Sequence, residues 1–135
     1  MKLNPDCIRD ILLWLEENQE MESGYDNFLT GQVSEVSSTK IAQCLPTYSA
    51  EDILYSVKQM IYSGLLNARL LTTNDAQIYL VQDITPEGHK FLGNISSDET
   101  WQKTKSTASK IGAATLDTLG KISANIVAEL IKKSM

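Results

Sequence analysis

Few side chains in this chain could do covalent or acid–base chemistry. His89 is the single histidine, set in Gly88-His89-Lys90. A general base needs a positioned partner, and an isolated helical histidine is ordinarily a surface or capping residue. Cys7 and Cys44 stand far apart, on expected helices near apolar stripes, with no partner base beside either. There is no Cys-x-x-Cys and no His-x-x-x-His, so a zinc site would have to draw on scattered carboxylates. Glu20, Glu22 and Asp26 lack the order of a calcium loop. Glu16 and Glu17 are adjacent, and adjacent helical side chains diverge. Neither Gly-x-x-x-x-Gly-Lys-Ser/Thr nor Gly-x-Gly-x-x-Gly occurs. The expectation is a non-enzymatic protein with no catalytic residue, cofactor, metal or small-molecule substrate.

Residues suited to macromolecular contact are easier to find. Tyr55, Lys58, Gln59 and Tyr62 fall on one face of an expected helix. Exposed tyrosines give large contact area at low entropic cost, which suits a protein interface. The alternative is that both tyrosines pack on the core rim or against the C-terminal tail. Arg69 is the one basic residue of the strands that follow.

The elements that must position these residues follow from periodicity and punctuation. Asn4 caps a first helix from about Pro5 or Asp6 to Asn18, with Ile8, Ile11, Leu12 and Leu15 on one face, Trp14 at its flank and Leu13 turned away. Residues 19 to 37 are polar and acidic with Gly24 and Gly31, and they read as a loop with a short strand near Gln32–Val36. Ser38 caps a short helix stopped by Pro46. Ser49-Ala50-Glu51-Asp52 has the form of a capping box and opens a helix to about Ser63, ended by Gly64. Its buried stripe is Ile53, Leu54, Val57, Met60 and Ile61. The period then changes to two, giving strands Asn67–Thr72 and Gln77–Ile84 about an Asn74-Asp75 turn. Thr85 caps the next helix, Pro86 takes its first position, and Gly88 permits close backbone approach. Ser97 opens one helix to about Lys133, roughly 55 Å long at ~1.5 Å per residue, with possible breaks at Gly112 and Gly120.

That order is the order of a winged helix-turn-helix core, 1–96, followed by an amphipathic helical tail, 97–135: mainly α with a small β-wing. Further stretches carry a likeness to known proteins. Met1-Lys2-Leu3-Asn4-Pro5-Asp6-Cys7-Ile8-Arg9-Asp10-Ile11-Leu12, Glu51-Asp52-Ile53-Leu54-Tyr55, Gly64-Leu65-Leu66, Asp83-Ile84-Thr85-Pro86-Glu87-Gly88-His89 and Trp101-x-x-Thr104-Lys105 are among them. Together they resemble an uncharacterised family of short proteins from phages, prophages and low-GC Gram-positive bacteria. The resemblance implies a winged-helix core and a phage or prophage setting. It implies no activity and assigns no functional residue.

Charge separates the remaining functions. The 135 residues carry a formal net charge of -5, with 42% hydrophobic and 21% charged residues, as in an ordinary globular chain. Residues 1–98 hold six basic and fourteen acidic side chains, a net of -8; residues 99–135 hold six lysines and three acids, a net of +3. The would-be recognition helix opens on Glu51-Asp52, which would meet phosphates with like charge. A specific DNA complex draws on some 6–10 phosphate contacts, beyond the reach of this acidic core alone. A protein partner is therefore expected first, and a dimeric DNA-binding regulator second. The tail stripe of Trp101, Ala108, Gly112, Leu119, Ile126 and Leu130 could pair with a second copy or fold back on its own core. An anionic membrane surface is the least favoured of the three. No secretory signal and no run of ~18 apolar residues is legible. Two reduced thiols fit a cytoplasmic setting.

Overall fold

The computed structural model describes residues 2–30, 35–112 and 115–134, with the backbone alone for 19–30. Six helices and one small sheet follow in the order α1 (Pro5–Thr30), β1 (Val36–Ser37), α2 (Ser38–Cys44), α3 (Ala50–Tyr62), β2 (Leu66–Thr72), β3 (Gln77–Ile84), α4 (Pro86–Ile95), α5 (Asp98–Ile111) and α6 (Leu116–Ser134). The class is mainly helical with a small antiparallel sheet, as the alternation of periods predicts.

The expected caps are mostly in place. Ser49 Oγ accepts the Asp52 amide, Thr85 Oγ1 accepts that of Gly88, and Ser97 Oγ accepts that of Thr100. The cap of α2 is Ser37, one residue earlier than expected: its hydroxyl accepts the Lys40 amide, while Ser38 is buried and its Oγ accepts the Tyr79 amide. Gly64, at φ +77°, closes α3 in the left-handed region that glycine occupies at no steric cost.

The segment after Asn18 departs from expectation. Residues 19–30 are helical, not a loop, and α1 runs to Thr30. Gln, Glu and Met propagate helices well, and one interior glycine, Gly24, costs only about 1 kcal/mol. Gly31 and most of the expected strand at 32–36 lie outside the described residues; the strand that forms is Val36–Ser37. The C-terminal segment is two helices, broken at Gly112, the first of the two glycines where a break was expected to fall. Gly112 caps α5 at φ +70°, its amide donating back to Ser109 O at 3.2 Å. Thr115 Oγ1 then accepts the Thr118 amide to start α6, which packs on both α4 and α5. Gly120 stays inside α6.

The sheet has the order β1-β3-β2, antiparallel throughout. Its two-residue turn works without glycine. No non-glycine residue among those described has positive φ, so the mirror-image turns usual for hairpins are absent. Thr73 Oγ1 instead accepts the Ala76 amide at 3.0 Å, and Thr73 N–H donates to Ala76 O at 2.8 Å.

One core joins all of this. Ile8, Ile11, Leu12 and Leu15 of α1 meet Ile41, Ile53, Val57, Met60, Val81, Leu92 and Ile95. Leu13, expected to point away, is half-buried against the same core. Trp101, Ala108, Leu116 and Leu119 belong to it as well, so α5 and α6 share the core of the preceding elements. Cys7 is fully buried, and burial pushes its thiol pKa up. Ser56 Oγ, buried beside it, has only that weak sulfur neighbour. Cys44, expected near an apolar stripe, is exposed at the end of α2.

Candidate functional site

The outer face of α3 is positioned by the Ser49 cap at one end and Gly64 at the other, while Ile53, Val57 and Met60 fix its rotation by burying the opposite face. Tyr62 is 70% exposed, the most open of the large hydrophobic side chains among the described residues. Lys58 Nζ lies 5.7 Å from its ring centroid, one helical turn away, within cation–π range. Tyr55 and Gln59 are half-buried on the same helix. The structure thus joins Lys58 to Tyr62, with Tyr55 and Gln59 at their margin.

Arg69 is engaged elsewhere. Its Nε donates to Glu35 Oε2 at 2.7 Å and its Nη2 to Glu35 Oε1 at 2.9 Å, a two-pronged pairing. The guanidinium holds the Glu35 carboxyl below its ordinary pKa. Sequence reading missed Glu35, which is 34 residues away in the chain and comes beside Arg69 only because β1 joins the sheet. It also missed Leu70 and Leu71, both exposed on β2. Glu51, Asp75 and Asp83 are exposed, and Asp83 Oδ1 accepts from Asn67 Nδ2 at 2.7 Å.

The residues expected to pair two copies are divided. Trp101, Ala108 and Leu119 are buried inside this chain, and Gly112 is spent as a helix cap, because α6 turns back onto α4 and α5. Ile126 is half-buried and Leu130 is 36% exposed. Several tail lysines are drawn to acids of the same chain: Lys103 to Glu99 at 3.2 Å, Lys105 to Asp6 at 2.8 Å and Lys121 to Asp117 at 3.0 Å. Between α4 and α6 lies an open groove of about 450 Å³, with Leu65, Phe91 and Leu116 at its floor and Lys90 and Asp117 at its rim.

A second polar constellation clasps α1 to α5. Trp101 Nε1 and Lys105 Nζ each donate to Asp6 Oδ1 at 2.8 Å. Arg9 Nε and Nη2 donate to the carbonyls of Ile95 and Ser96, and Nη2 reaches Asp98 at 2.8 Å. Arg9 and Lys105 both lie within about 6 Å of the Trp101 ring centroid. Partial burial acts to raise the Asp6 pKa; the hydrogen bonds from Lys105 and Trp101, with the charges of Lys105 and Arg9, outweigh it, and the pKa is lowered. Its ion-pair contribution to stability is then present above about pH 4 and is lost as pH falls through the lowered folded-state value. Asp6→Asn should flatten that acid limb of a stability–pH curve and leave the neutral-to-alkaline limb parallel to wild type. An unchanged acid limb would remove Asp6 from the account.

No helix among the described residues is long and apolar enough to cross a membrane. A family model described as hypothetical protein (DUF2513) matches residues 2–114, from the start of α1 to just past α5. An uncharacterized protein of Haemophilus influenzae is 25% identical over 132 residues, covering 97% of this chain and 99% of its own length. No solved structure matches the chain.

Proposed function

The chain belongs to the DUF2513 family of hypothetical proteins, and on that premise we propose that it is a non-enzymatic winged-helix adaptor or regulator of phage or prophage type. It acts by binding a protein partner through the outer face of α3. Here β2 and β3 are the wing and α3 is the helix that relatives of this architecture present to a target.

The observation that carries the reading is the Arg69–Glu35 pair. It neutralises the wing's one basic side chain, next to a helix that opens on Glu51-Asp52. A duplex would meet Lys58 and little other positive charge on this face, well short of the phosphate contacts a specific complex uses. Tyr62, open to solvent and backed by Lys58, has the chemistry of a protein contact.

The test uses the full chain against host lysate and against mixed-sequence duplex DNA. A protein should be retained in stoichiometric amount, and Tyr62→Ala with Lys58→Ala should weaken its binding roughly tenfold or more. Duplex binding that is tight at low salt and collapses as salt rises would replace this reading with the DNA-binding one.

A further inference from the structure

We infer that the open edge of β2 pairs with β2 of a second copy of this chain, antiparallel, about a two-fold axis at Leu70. β2 is the terminal strand of the β1-β3-β2 sheet. In an antiparallel ladder each residue either exchanges both backbone bonds with its opposite number or turns both away, in alternation. Two contacts fix that alternation here. Thr73 N–H donates to Ala76 O at 2.8 Å, so Thr73 and Ala76 are a bonded pair. Tyr79 N–H donates to Ser38 Oγ on the far side of β3, so Tyr79 does not bond its opposite residue, Leu70. The N–H and C=O groups of Ala68, Leu70 and Thr72 therefore point to the open edge.

Edge strands are ordinarily defended by lysine, proline, a bulge or brevity. This one has seven residues and neither lysine nor proline, and its irregularity lies at the far end, between Asn67 and Ala68. Its charge, Arg69, is cancelled by Glu35. Leu70 remains 48% exposed and Leu71 41%.

The strand is complementary to itself. Centred on Leu70, an antiparallel pairing sets Leu70 against the second copy's Leu70 and Ala68 against its Thr72. All three outward-facing residues then bond, and Arg69 lies opposite Leu71. Centring on Arg69 would oppose two arginines and would set Thr72 against Leu66, which lies beyond the irregularity at Asn67/Ala68; centring on Leu71 would engage only two of the three. The product is a six-stranded sheet across the two-fold. The contact is short, so association is weak and rises with concentration. It stands whether or not α3 takes a protein partner.

Cross-linking reads the register directly. In a Cys44→Ser background of the full chain, Leu70→Cys should form a covalent dimer on mild oxidation, since opposed bonded residues stand about 5.5 Å apart. Thr72→Cys alone should not, whereas a mixture of Ala68→Cys and Thr72→Cys chains should. Sedimentation of wild type from micromolar to millimolar protein should show a monomer–dimer shift. Leu70→Pro should abolish it while keeping the wild-type circular dichroism, because the N–H it removes serves no bond within the sheet. Wild type that stays monomeric at millimolar concentration would overturn the inference. So would equal cross-linking at positions 70 and 72, or a dimer unaffected by Leu70→Pro.

Discussion

Gly88→Ala should destabilise the protein by about 3 kcal/mol or more and lower its Tm by roughly 10 °C. A methyl group built at Gly88 would lie 2.2 Å from Leu65 O and 2.6 Å from Ile84 Cγ2. Leu65 cannot retreat. Its N–H donates to Met60 O at 2.8 Å, its carbonyl accepts the Thr85 amide at 3.0 Å, and Thr85 Oγ1 donates to Gly64 O at 2.6 Å. The same Thr85 hydroxyl caps α4 through the Gly88 amide, so the new methyl would push apart the junction of α3, β2 and α4. Gly93 on the same helix supplies the control. A methyl group there meets nothing within 4 Å, and Gly93→Ala should be neutral or stabilising by up to about 1 kcal/mol through helix propensity and the unfolded chain. Chemical denaturation of the two variants measures both. Equal effects would mean that the close approach of α4 to Leu65 has been misread.

That junction was legible because its signals are local. Thr85-Pro86 marks a helix start within two residues, Gly88 marks close approach, and the change from a 3.6 to a 2.0 period locates β2 and β3 within a residue. What escaped was of two kinds. In residues 19–30, Met21, Tyr25, Phe28 and Leu29 do follow a helical spacing, but Glu20, Glu22, Ser23, Gly24, Asp26 and Asn27 around them have the composition of a loop and mask that signal. The break at Gly112 was one of two glycines that propensity could not separate; only Gly112 adopts positive φ, where α6 turns back to bury Leu116 and Leu119. The other kind is long-range. Glu35 meets Arg69, and Asp6 meets Trp101 and Lys105, across 34 to 99 residues of chain. No spacing rule reaches that far. For the candidate face, the α3 helix and its exposed Tyr62 were readable from period and capping, whereas the neutralisation of Arg69 and the exposure of Leu70 depend on how the strands assemble.

The clasp between α1 and α5 carries the second large effect. Trp101→Ala should cost about 3–5 kcal/mol, the range for removing a buried tryptophan. The side chain is 1% exposed and packs within the core, so its loss leaves a void that α5 fills only by leaving α1. More than volume is at stake. Trp101 Nε1 donates to Asp6, and its ring has Arg9 and Lys105 close by. Arg9 in turn satisfies the last carbonyls of α4 and the first-turn Asp98 of α5. Removing the indole therefore loosens the α4–α5 corner and, with it, the platform on which α6 rests. Trp101→Phe separates the two contributions. It keeps much of the ring volume and gives up the hydrogen bond, and should cost roughly 1–2 kcal/mol, since Asp6 retains Lys105. Hydrogen exchange provides the spatial test. In Trp101→Ala, protection should fall first in α5 and α6, while β2, β3 and α3 keep theirs until global unfolding. If protection fell uniformly, α5 and α6 would unfold as one unit with the α3 region, and the Trp101–Asp6–Lys105 contact would not be a separable clasp.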